Sequence, residues 1–269
     1  MSVADTEVDV LIVGGGPVGL TARALLERWG VATLLVEKRR ALSPFPRSRL
    51  VNARSMEIYR QLGLADGIAS RAFGPEFGHI RFRDTLCGGD FAEAPVAGVN
   101  AAIPESPVIG VVTSQDRLEP LLLAAAEALV RFGAELVGLA EGPRDVVATL
   151  VDHGRDGART RVRARYVLAA DGANSSVRRR LGIGTTGPGA LGDFTTVVFD
   201  ADLGRWCAGR PASTSPRTAP SPRCTPKGAG PGSGPPPRTR RTSTGPLSSR
   251  APSAPATAYA PTCCGSSTG

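Results

Sequence analysis

The chain has 269 residues, 41% of them hydrophobic, enough for a buried core, and 32 Lys and Arg against 24 Asp and Glu give it a formal net charge of +8. That excess sits at one end: residues 207–269 hold eight basic side chains, 13 of the 23 prolines, no Asp or Glu and a single Leu, so residues 1–206 carry 24 charges of each sign. The tail's basic residues are dispersed among prolines without aromatic platforms, which argues against specific nucleic-acid recognition. No apolar run approaches the ~18 residues of a membrane span, and no basic n-region precedes an apolar run and cleavage site, so the expectation is a cytoplasmic protein without a membrane partner.

The opening reads strand, tight turn, helix, strand. "VDVLIVGGG" is a continuous apolar run of the kind a strand buried on both faces needs, halted by three glycines. "PVGLTARALLERWG" has apolar residues at helical spacing, with Pro17 in the first turn and Gly30 at the end, and "VATLLVEK" follows as a second buried strand. This is a βαβ unit, the start of an α/β, Rossmann-like domain. A Pro-, Ser- and Arg-rich loop, "ALSPFPRSR", leads into a helix at "NARSMEIYRQLG" closed by Gly63.

Between Phe73 and Val112 short strands and turns alternate, with "GHIRFRD" the clearest strand. "SQDRLEPLLLAAAEALVRFG" predicts one long helix ending at Gly133, with Pro120 in or near its first turn. "DVVATLVDHGRDGARTRVRARYVLAADG" predicts a hairpin around "HGRDG" that runs into a buried apolar strand before Asp171-Gly172, and "GDFTTVVFDADL" begins a further strand.

Gly14, Gly16 and Gly19 form G-x-G-x-x-G between a strand and a helix. The first glycine allows the turn, the second lets backbone approach a pyrophosphate, and the third lets helix pack close on strand. Glu37, 18 residues past Gly19 at the end of the second strand, is placed to accept hydrogen bonds from a ribose. These features indicate dinucleotide binding and leave NAD and FAD open.

The remaining residues with chemical potential are few. His79 and His153 are the only histidines, one in a strand-like stretch and one in a turn, and neither has a sequence neighbour that would complete a triad or metal site. Cys207, Cys224, Cys263 and Cys264 match no zinc spacing, and Cys87 stands alone as a thiol suited to a reducing compartment, so no metal is expected. No residue is identified as catalytic.

Three blocks, "DVLIVGGGPVGL", "PRSRLVNARSMEIYRQLGL" and "LAADGANSSVRRRLGI", together resemble the flavoprotein aromatic hydroxylases, the class A monooxygenases, and most closely those of actinobacteria that tailor aromatic polyketides. The resemblance implies FAD as cofactor, NADPH or NADH as co-substrate, and hydroxylation of a small phenolic or polyketide substrate with O2 through a flavin C4a-hydroperoxide. It implies that Gly14, Gly16, Pro17 and Gly19 hold the pyrophosphate and Glu37 the adenosine ribose. Arg47 would approach the flavin side, with Arg49 as its neighbour, and Gln115 would hydrogen-bond the cofactor. Asp171 and Gly172 would contact FAD at the DG motif, and Arg178 would orient Asp171 or brace the NAD(P)H side.

The resemblance also divides the chain into an FAD-binding domain over 1–183, with the strands of 73–112 on the substrate side, the start of a mixed substrate-domain sheet over 184–206, and a disordered basic tail over 207–269. Members carry a second FAD motif, a strand ending in Gly-Asp before a helix; Gly89-Asp90 and Gly192-Asp193 lie too early for it, and the tail has none. Two readings of the tail follow: a shifted reading frame in GC-rich coding DNA, or an evolved disordered segment with too little apolar content to fold. Two readings of function follow as well, a hydroxylase that depends on a missing half and a non-catalytic dinucleotide-binding protein, with other flavin oxidoreductases of the same fold as the nearest enzymatic alternative.

Overall fold

A computed structural model describes residues 6–82 and 89–189, apart from the side chain of Glu76. Cys87, the strand expected at "GDFTTVVFDADL" and the tail lie outside the described residues.

The central sheet has six strands in the order β5-β2-β1-β8-β7-β6. β1 (Thr6–Val13), β2 (Thr33–Glu37), β5 (Val130–Phe132) and β8 (Ala158–Ala169) run parallel, while β6 (Ala134–Glu141) and β7 (Val146–Asp152) are antiparallel neighbours beyond β8. β3 (His79–Phe82) and β4 (Ala92–Pro95) form a separate antiparallel pair. The β1–β2 crossover is α1 (Pro17–Arg28), and α2 (Ala53–Gln61), α3 (Ala65–Ala69), α4 (Gln115–Ala124) and α5 (Ser176–Arg180) complete the helices.

Alternation along β1 sorts its side chains to two cores. Val10 and Ile12 pack with Leu20 of α1, Leu35, Met56, Tyr59, Leu118 and Leu122 beneath the helices. Leu11 and Val13 pack with Leu34, Val36, Leu136, Leu150, Val162 and Val177 beneath the β6–β7 hairpin. Both faces of β1 and β2 are therefore covered, which explains their unbroken apolar sequences.

Four expectations change. The segment predicted as one long helix ends at Ala124, and Val130–Phe132 instead pairs parallel with β2. The break has a cause in α1: the buried Arg23 guanidinium donates to the carbonyls of Leu123 at 2.9 Å, Ala128 at 2.7 Å and Ala126, while Glu27 accepts from the N–H groups of Glu127 and Ala128. The N–H groups of Glu127 and Ala128, each with one hydrogen to give, are thereby spent on Glu27 rather than on the carbonyls of Leu123 and Ala124 that a continued helix would use.

Pro120, expected near the first turn, lies inside α4 as its sixth residue, and Gly133, expected to close a helix, turns the chain from β5 into β6 with φ +75°. Lastly, the strand before Asp171 is not buried throughout: β7 leaves β8 at the Val146–Ala164 pair, and beyond it Tyr166 and Leu168 are exposed. The predicted hairpin around "HGRDG" is present, closing at Asp152 opposite Ala158.

Candidate functional site

The carboxyl ends of β1, β2 and β8 converge, and the glycine loop, Glu37 and Asp171 meet there. This is the end of a parallel sheet at which α/β proteins place their ligands. Gly14 leaves β1 with φ +112°, a conformation side-chain-bearing residues rarely adopt, and a Cβ on it would collide with the Ala170 carbonyl just before the DG pair. A Cβ on Gly19 would overlap the Gly14 carbonyl oxygen, so this glycine lets α1 close onto the turn.

Gly16 differs. It is the N-cap of α1, and the space its side chain would occupy is open. Pro17 follows at the first helical position, no side chain caps the helix, and its first turn carries no acidic residue. The result is open space at the positive end of a 12-residue helix, which fits a pyrophosphate.

Glu37 is fixed by two backbone donors: Gly15 N–H gives to Oε2 at 2.7 Å and Arg39 N–H to Oε1 at 2.9 Å. A carboxylate oxygen has more than one acceptor direction, so the held group retains capacity for a ribose hydroxyl. Asp171 is committed locally. Its carboxylate accepts from the Ser175 hydroxyl at 2.5 Å and from the N–H groups of Ser176 at 2.7 Å and Val177 at 3.1 Å. Burial pushes its pKa up, but these donors outweigh burial and hold the carboxyl below its ordinary value.

Arg178 does not orient Asp171 as expected; its guanidinium donates to the Ala173 carbonyl at 2.9 Å, and the seryl and backbone donors do the orienting. Gly172, with the loop it begins, lines a shallow groove of about 420 Å³ with Asp171, Ser175 and Val18.

The second group assembles around α4. Gln115 N–H donates to the Arg47 carbonyl at 2.8 Å, joining two residues 68 positions apart. The Arg47 side chain is exposed, and nothing among the described residues pairs with its guanidinium; Arg49 instead lies over the Phe73 ring at 5.4 Å. Gln115 Nε2 donates to Glu119 Oε1 at 2.5 Å.

Glu119, 2% exposed, also accepts from Ser43 N–H at 3.4 Å, and burial raises its pKa above the ordinary carboxyl range. Sequence reading missed Glu119, Arg23 and Ser48. Only their one-turn spacing from Gln115 and Glu27 hinted at the first two. Ser48 sits at φ 48°, a strained position for a non-glycine residue, and with Gln115, Pro17, Val18 and Leu118 it lines an apolar groove of about 460 Å³.

The two histidines each meet a carboxylate at the surface: His79 Nδ1 lies 2.9 Å from Glu93 and His153 Nε2 2.8 Å from Glu135. Among the described residues no group of His, Cys, Asp and Glu could hold a metal, and no helix is long and apolar enough to cross a membrane.

The fold and site define a dinucleotide-binding α/β protein of the flavoprotein type. A family model described as an FAD binding domain matches residues 7–251, and the chain belongs to that family. It is 38% identical over 213 residues to aklavinone 12-hydroxylase of Streptomyces peucetius, covering 76% of this chain and 43% of that one. It is 35% identical over 215 residues to 2,4-dichlorophenol 6-monooxygenase of Delftia acidovorans, covering 77% and 36%. Among solved structures it is similar to the flavin-dependent monooxygenase PieE in complex with FAD and substrate, at 37% identity and a TM-score of 0.64 over 77% of this chain and 38% of that one. The chain thus spans about two-fifths of the length of the relatives it matches.

Proposed function

We propose that this chain is the FAD-binding part of a monooxygenase that hydroxylates a small aromatic substrate, phenolic or polyketide, using NADPH or NADH and O2. The observation that carries the reading is the open space at Gly16, the N-cap of α1, one residue after the Gly15 N–H that holds Glu37 and two after the Gly14 turn packed against the Ala170 carbonyl. In this reading the first-turn N–H groups of α1 bind the pyrophosphate and Glu37 receives the adenosine ribose. Arg47 and Gln115 take the flavin side, and Asp171 acts by holding the Gly172 loop in shape.

FAD, when bound, supplies the redox chemistry by accepting hydride from the nicotinamide and delivering electrons to O2. The protein's own contribution is placement: Glu119 holds Gln115, Gln115 holds the Arg47 backbone, and the larger groove beside them offers mainly apolar walls.

The relatives named for aklavinone and dichlorophenol support an aromatic substrate, and their greater length supports activity that depends on a second portion. The same reading divides the chain at 183 and 206, with a cytoplasmic location and a basic tail from 207. Titrating FAD into the purified full chain and following flavin fluorescence tests it, with NADPH oxidation under air measured in parallel. Saturable quenching is expected. Its absence would overturn flavin binding, and binding without any oxidation, even with the complementary portion supplied, would leave the dinucleotide-binding protein without turnover.

A further inference from the structure

We propose that Glu119 is a positioning residue for the flavin side of the site, and that only its ionised form holds the 43–47 loop against α4, so that FAD affinity falls when the carboxyl takes up a proton. The inference deepens the proposed FAD reading and rests on it. α4 holds that loop at both ends. The Arg47 carbonyl accepts from Gln115 N–H at 2.8 Å, and the N–H of buried Ser43 donates to Glu119 Oε2 at 3.4 Å. Glu119 Oε1 accepts from Gln115 Nε2 at 2.5 Å, so one buried carboxyl joins the two anchors. Between them Pro44, Phe45 and Pro46 are exposed, and the bonds from Phe45 N–H to Ser43 Oγ and from Arg47 N–H to the Phe45 carbonyl tie the loop to itself rather than to the helix.

Both hydrogen-bond partners of Glu119 are donors. An ionised carboxyl accepts on both oxygens, whereas a protonated one turns an oxygen into a donor that would face Ser43 N–H or the Gln115 amide. A glutamine would fill the same volume with the same mismatch, so packing alone gives no reason for a carboxyl here. The nearby charges oppose one another: Arg39 favours ionisation and Glu37 disfavours it. Of the helices packed on α4, α1 brings Arg23 and Glu27, both spent on the link that follows α4, and Arg28, bonded to the Gln61 carbonyl; α3 brings the exposed Asp66. On α4 itself Asp116 lies in the first turn, and Arg117 lies over the Phe73 ring, as does Arg49 from beyond the loop.

Two signs separate positioning from a purely structural role. Burial raises the Glu119 pKa, so its contribution to folding is complete in acid and is lost as pH rises through the folded value. A structural Glu119 would carry FAD affinity in that same direction, and a positioning one carries it in the opposite direction. The negative charge of FAD would by itself draw a proton onto the carboxyl, whereas a grip that needs the ionised form releases one.

The test titrates FAD into the full 269-residue chain and its Glu119→Gln variant by flavin fluorescence, and by calorimetry in two buffers of different ionisation heat. Between about pH 5 and pH 8 wild-type affinity should rise on the order of tenfold, while Glu119→Gln stays at the weak level throughout. Relative to the variant, the wild type should release protons on binding. Parallel affinity profiles, or proton uptake by the wild type relative to the variant, overturn the proposal. If circular dichroism shows that Glu119→Gln does not fold, hydrogen exchange in the flavin-free wild type decides: the amides of Ser43 and Gln115 should lose protection in acid after correction for the intrinsic rate, and unchanged protection overturns the proposal. A wild type that binds no FAD at any pH overturns the functional reading together with this inference, whereas binding without a pH slope overturns the inference alone.

Discussion

At the residue scale, two glycines of one motif do different jobs and should fail differently. Ala at Gly19 would drive its Cβ into the Gly14 carbonyl, so Gly19→Ala should cost about 1–3 kcal/mol of stability through backbone displacement, read as a lower urea midpoint. Ala at Gly16 meets nothing in the chain, so Gly16→Ala should leave that midpoint within about 0.5 kcal/mol while weakening FAD binding on the order of tenfold. Equal losses of stability in both variants would show that the cradle at Gly16 is structural rather than a place kept for phosphate.

Glu119 makes a pH-dependent case. Its folded pKa is raised, first by burial, so the folded state binds the proton more tightly than the unfolded state does. The stability this contributes is complete below the unfolded value of about 4.3 and is lost as pH rises through the folded value. Relative to Glu119→Gln, which keeps the size without the charge, the wild-type chain should therefore be most favoured near pH 4 and lose ground toward neutrality. Urea midpoints of both proteins across that range decide the sign. Asp171, whose pKa is lowered despite its burial, should run the other way against Asp171→Asn: its advantage is present above the unfolded value of about 3.9 and fades as pH falls through the folded value.

At the scale of elements, the strap from α1 to the α4–β5 link is the feature most exposed to a single change. Arg23→Met keeps much of the buried volume but leaves the carbonyls of Leu123, Ala126 and Ala128 without their donor and Glu27 without its cation. A loss of about 3 kcal/mol is expected in chemical unfolding, with hydrogen exchange accelerated first in 123–132. The strap also explains what the sequence could reveal.

β1, α1, β2 and the hairpin before β8 were legible because period and turn chemistry act locally: apolar runs, Pro17, Gly30 and "HGRDG" each mark their own element. The end of α4 was not, because "LLLAAAEALVRF" is a good helix pattern and is overruled by a guanidinium about 100 residues earlier in the chain. The glycine loop and Glu37 were likewise visible from spacing, whereas the Gln115–Glu119 pair and the strain at Ser48 depend on how the 43–49 loop meets α4, a contact that leaves no periodic trace. For Arg178 motif position left two roles open, orienting Asp171 or bracing the NAD(P)H side; Ser175 and the N–H groups of Ser176 and Val177 fill the Asp171 carboxylate, so the first role falls to them.

For the whole molecule, charge and core separate along the chain. Among the described residues both hydrophobic clusters lie between Val8 and Val177, while the net +8 comes from residues 207–269. A chain ending after Trp206 would be formally neutral, with 24 charges of each sign, and would keep every described residue of both clusters. Its far-UV circular dichroism should match the full chain's and its stability to urea should stay within about 0.5 kcal/mol, since net charge is a solubility term rather than a fold term. Its retention on a cation exchanger at pH 7 should collapse, and its solubility should fall because a molecule without net charge and with the Tyr166–Ala170 edge exposed has little electrostatic barrier to strand addition. Adding Tyr166→Lys to the short chain should restore solubility without moving the midpoint. If the short chain instead unfolds at markedly lower urea, the tail belongs to the folded unit, and the boundary proposed at residue 206 is wrong.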